Sequence, residues 1–162
     1  MDRIEKIQRW KVREDLKKVA EEEARKEYIA KLTADIEALW DRAKVLIEVY
    51  NAGKKAGLPY PDNPYRDGCF YSEGYGHFLG VGYYYDGIYN GDPGFGIRTR
   101  SNMNAISIRG GGACCYEIDL CDGKLHYKGM DALRRLEDFE KEYNRFEKKF
   151  YDWIDEHTDL LA

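Results

Sequence analysis

Apolar positions recur at helical spacing near both ends of the chain and alternate along its middle. From Asp2 to Asn51 there is neither glycine nor proline, and strong helix formers dominate. Leu32, Ile36, Leu39, Ala43, Leu46 and Tyr50 are separated by gaps of four and three, the seam of a helix buried along one stripe. This spacing predicts a helix over 28–57, stopped by Gly53 and Gly57 with Pro59 and Pro61 beyond. Residues 130–160 predict a second long helix whose seam is Leu136, Phe139, Tyr143, Phe146, Phe150 and Trp153.

Upstream of residue 28 the periodicity weakens. Ile4, Ile7, Leu16 and Val19 are apolar, but Glu21 to Glu27 offers almost nothing to bury. One continuous helix over about 50 residues would reach about 75 Å at 1.5 Å per residue, too long for one compact domain. Residues 1–27 are therefore expected to fold back as a separate helix or to project as an arm. In either case Ile4, Ile7 and Trp10 would need a partner, for which a second copy of the chain is one candidate.

Residues 77–128 read as strands whose pairing can be tested internally. Asp122-Gly123 signals a two-residue hairpin of type I′. It would set Leu120 against Leu125 and Ile118 against Tyr127 on one face, with Asp119 against His126 and Glu117 against Lys128 on the other. Apolar meets apolar and acid meets base, so the register is self-consistent. A three-residue loop at Gly110-Gly111-Gly112 would set Ile108 against Cys114 and Ile106 against Tyr116. A four-residue turn at Ser101 to Asn104 would set Ile97 against Ile108 and Thr99 against Ile106. A fifth strand, His77 to Tyr85, would add Leu79, Val81, Tyr83 and Tyr85 to the apolar face.

The expected fold is therefore α+β and a single domain. A five-stranded antiparallel meander over 77–128 carries a long N-terminal and a long C-terminal helix on one face. Residues 58–76, with Pro59, Pro61, Pro64 and several tyrosines, read as an irregular loop of a length often tied to function.

Composition narrows the function classes. The 162 residues carry a net charge of -4, with 35% charged residues interleaved in sign along both helices. That is a solvated surface and not the basic footprint of a duplex nucleic-acid binder. The opening residues lack the apolar run of a secretory signal, and no stretch approaches the roughly 20 apolar residues of a membrane span. A cytoplasmic location is expected. Cys69, Cys114, Cys115 and Cys121 show no C-x-x-C spacing, and with three histidines they form no zinc pattern, so no metal or cofactor is expected. The glycines at 74, 76, 80 and 82 do not make a dinucleotide fingerprint.

Candidate binding residues lie on the second sheet face and in the tyrosine-rich segment. Arg98, Arg100 and Arg109 on neighbouring strands suit bidentate capture of a phosphate or carboxylate, unless Glu117 and Asp119 neutralise them. Gly80 and Gly82 would let a ligand approach the backbone. Tyr71, Tyr75, Tyr84 and Tyr89 offer contact area of the kind found at interfaces. Cys115, Asp119 and His126 nominally make a thiol, an orienter and a base. Four residues of strand separate Cys115 from Asp119, about 13 Å, too far for that chemistry.

Three functions are weighed on these residues. The first is a non-enzymatic interaction protein with a protein partner, of the kind phages and mobile elements use against bacterial defence, anti-CRISPR proteins included. The second captures an anionic, nucleotide-like small molecule on an open sheet face. The third is a thiol-dependent enzyme.

Overall fold

The computed structural model describes residues 2–60, 71–73, 78–81, 94–100, 102–110, 116–129 and 132–159, with the backbone alone at 71–73, 78–81, 100, 109 and 110. The fold is α+β. Helices α1 (Arg3–Glu37) and α2 (Trp40–Ala56) precede strands β1 (Tyr71–Glu73), β2 (Phe78–Val81), β3 (Gly94–Arg100), β4 (Met103–Gly110), β5 (Tyr116–Cys121) and β6 (Lys124–Gly129). Helix α3 (Ala132–Asp159) closes the chain order. The chain divides into two compact units, Met1–Ala34 and Asp35–Ala162.

The first unit is helical from Arg3 onward. The Asp2 carboxylate accepts a bond from the Glu5 backbone N–H at 2.8 Å, which caps α1. With no glycine or proline to stop it, the helix runs from Arg3 to Glu37. An interruption falls at Ala38–Leu39, inside the second unit. There the Leu39 N–H bonds to the Ile36 carbonyl at 3.0 Å, a tightened turn. The seam continues across it, since Ile36, Leu39, Ala43, Leu46 and Tyr50 are all buried. Helix α2 ends at Gly57, and the Leu58 N–H returns to the Gly53 carbonyl at 2.9 Å.

Among the described residues the sheet is an antiparallel meander of six strands, β1-β2-β3-β4-β5-β6, and not five. Four long strands, β3 to β6, carry it, and β1 and β2 are short. Strand β1 lies within 58–76, where the sequence predicts an irregular loop. The Asp122-Gly123 hairpin has the expected register, Leu120 against Leu125 and Asp119 against His126. Both turn residues have positive φ, 51° and 76°, which glycine at the second position tolerates without strain.

The other two registers differ from expectation by even steps. Ile97 faces Ile106, because the β3–β4 turn is two residues long with Asn102 at φ 66°, and not four. Ile108 faces Ile118, four residues beyond the expected Cys114, because the β4–β5 connection spans 111–115 and not a three-residue loop. An even slip moves partners along the strand without exchanging faces. Phe95, Ile97, Ile106, Ile108, Ile118 and Leu120 thus form one buried apolar face.

Helix α3 supplies the cover for that face. Leu136, Phe139, Tyr143, Phe146 and Phe150 are buried, and the Phe95 ring meets Phe139 edge-on at 5.2 Å between centroids. Tyr60 closes the end of this core. Its hydroxyl donates to the Tyr50 carbonyl at 3.0 Å and its ring lies 5.0 Å from that of Trp153. The approach crosses Gly53, where any Cβ would collide with the Tyr60 hydroxyl. Burial pushes the Tyr60 phenol up to about 12. Among the described residues strand β6 forms one edge of the sheet, and most of its residues are exposed.

Candidate functional site

The second sheet face is not open at its centre, contrary to expectation. Gly94, Gly96, Ala105, Ser107 and Asp119 are all buried, the last two to 0% and 1% exposure. These residues are small apart from Asp119, so whatever meets them approaches the backbone closely. The buried carboxylate is not left unpaired. The Ser107 hydroxyl donates to the Asp119 carboxylate, and the Arg98 guanidinium lies 3.8 Å from the same oxygen. Arg98 also forms an ion pair with Glu117, whose other oxygen meets the Lys128 ammonium at 3.2 Å. Among the described side chains, Arg98 and Lys128 meet Glu117 and Asp119 in a network across β3, β5 and β6.

The register decides what the three arginines can share. Arg98 faces Ala105, whereas Arg109 faces Gly94 on the other side and Glu117 on the next strand. Along β3, Gly94 lies four residues from Arg98 and six from Arg100, about 13 and about 20 Å at strand rise. The two-residue turn at Asn102 creates this separation, because the longer turn would have left Arg109 two rows from Arg98. The side chains of Arg100 and Arg109 lie outside the described residues, as does that of Tyr71 in β1. Tyr75, Tyr84 and Tyr89 lie outside them altogether, with Gly82, Cys69, Cys114 and Cys115.

Of the thiols, Cys121 is half-buried, with its sulfur 3.9 Å from the Asn104 carbonyl. Asp119 lies between Ser107 and His126 in the cross-strand row, so the carboxylate contacts the hydroxyl directly. Among the described residues no group of three or more His, Cys, Asp or Glu could hold a metal ion.

Sequence reasoning missed a second polar contact, which joins α2 to α3. The Arg42 guanidinium donates to Glu147 at 2.7 Å and to Asn144 at 2.9 Å, and lies over the Tyr143 ring at 5.1 Å. The Tyr143 hydroxyl donates to the other Glu147 oxygen at 2.7 Å, and burial together with this carboxylate pushes its pKa well up. The available signal was Arg42 one residue before Ala43, and Glu147 one residue after Phe146, each bordering a buried seam.

Exposed apolar side chains concentrate on α1. Trp10 is 55% exposed, and Ile4 and Ile7 precede it at three-residue intervals on the same side of the helix. Val12, Leu16 and Val19, spaced by four and three, form a separate stripe about 150° around the helix axis at 100° per residue. The charges are uneven as well. Residues 3–18 hold seven basic and three acidic side chains, whereas 19–27 hold four glutamates and two basic residues. Among the described residues, no helix is long and apolar enough to cross a membrane. No protein-family model, curated protein or solved structure matches the chain.

Proposed function

We propose that the chain is a non-enzymatic interaction protein that binds a protein partner through the Ile4–Ile7–Trp10 side of α1. One observation carries this reading: a tryptophan and two isoleucines stand exposed on a helix whose first buried residue is Ile36. Exposed apolar clusters of this kind mark contact sites, and tryptophan is among the residues most enriched at the energetic centres of interfaces. Tyr71, Tyr75, Tyr84 and Tyr89 extend the reading as further contact area. Binding alone is enough for an inhibitor, so a blocker of a bacterial defence system, as anti-CRISPR proteins are, falls within this class.

Capture of an anionic small molecule draws less support. Arg98 is engaged by Glu117 and Asp119, and the rows carrying Arg98 and Arg109 are about 13 Å apart at strand rise. The interaction reading is tested by affinity capture from a host lysate with the intact chain and with Trp10→Ala. A specific protein retained by the first and lost at least about tenfold by the second supports it, the loss expected of an interface centre. Equal recovery with both chains would sink it.

A further inference from the structure

We infer that the second apolar stripe of α1 binds a second copy of this chain, with the two α1 helices antiparallel and crossing near Leu16. The stripe is separate from the Trp10 side, so the inference does not depend on the partner reading above. Val12, Leu16 and Val19 are 58%, 65% and 53% exposed and spaced by four and three, the interval that keeps a seam facing a neighbouring helix. The stripe is short, so apolar area alone specifies neither an occupant nor a direction.

The charges on either side of the stripe specify both. Seven residues before Leu16 stands Arg9, and seven after it stands Glu23. Antiparallel pairing about Leu16 sets Arg9 beside Glu23 of the second copy. One residue out of that register on either side, Val12 meets Val19 and Lys6 meets Glu27 of the second copy. Two-fold symmetry makes each of these contacts twice. A parallel pair would instead stack Arg9 on Arg9 and Glu23 on Glu23, which opposes association. The basic first half of α1 and the glutamate-rich stretch after it are thus complementary only head to tail, and the apolar residues sit at the centre of that overlap. The within-helix pairs Lys11–Asp15 and Lys26–Glu22, at 3.0 and 3.6 Å, involve none of these cross-helix partners.

Sedimentation equilibrium of the full chain at low and high salt tests the assignment. Wild type is expected to be a reversible dimer that weakens as salt screens the flanking pairs. Arg9→Glu places two like-charged contacts in the pair and should weaken association about tenfold. The double variant Arg9→Glu with Glu23→Arg should restore it, and Leu16→Glu should abolish it. Circular dichroism of each variant checks that α1 stays helical. A monomer at every concentration would overturn the inference, as would a dimer indifferent to Leu16→Glu. A single swap that leaves association unchanged, or a double swap that fails to rescue it, would overturn the antiparallel register. Trp10→Ala should leave association intact, so loss of the heterologous partner and loss of the dimer are read separately.

Discussion

Helices α1 and α3 are both long and densely charged, yet they meet opposite fates. In α3 the apolar residues share one stripe, Leu136, Phe139, Tyr143, Phe146 and Phe150, and every one is buried. In α1 a comparable set of large side chains is divided between two sides of the cylinder, and the helix buries only Ile36. Placement, more than apolar content, decides whether a helix joins a core. A stripe offers a continuous surface to the sheet, whereas divided patches each offer a few contacts and leave the other side wet.

The contrast breaks most decisively in the α3 seam. Phe146→Ala removes a fully buried ring beside Phe95 and Phe150 and should cost about 3–5 kcal/mol in urea unfolding. A cost near that of a surface substitution would mean that the seam is not the core. Tyr60→Phe is the next test, with a loss of about 1 kcal/mol at neutral pH from its bond to the Tyr50 carbonyl. Its pH signature is separate from that loss. The fold favours the neutral phenol, so the contribution is complete below pH 10.0 and drains away as pH rises toward about 12. Urea midpoints measured on either side of that window should therefore fall less steeply in the phenylalanine variant. The smallest effect belongs to α1. Leu16→Ala should shift the unfolding of Asp35–Ala162 by less than about 0.5 kcal/mol, read from amide exchange in β4 and β5. A larger shift would show that Leu16 contributes to the stability of that unit after all.

Much of this architecture was legible in the residues because periodicity reports burial directly. Both helical seams and the Asp122-Gly123 hairpin follow from spacing and turn chemistry, and the faces of the sheet survived two register errors because both slips were even. What was not legible depended on loop length, which local pattern does not encode. The turn at Asn102 separates Arg98 from Arg109, and the connection over 111–115 brings Ser107 against Asp119. Burial of that pair was beyond the alternation rule, which marks a row holding serine, aspartate and histidine as solvent-facing. The break at Ala38–Leu39 has no glycine or proline to announce it.

Strand β6 carries a consequence for how crowded copies of this chain behave. A terminal strand presents unpaired backbone groups that can template stacking by another chain, the route to fibrils. Lys124, His126 and Lys128 stand exposed at alternate positions along β6. A second β6 laid against it would bring cations opposite cations and shed their water, which discourages end-to-end sheet growth even at high concentration. Charge along β6 thereby works against edge-to-edge pairing of copies of this chain.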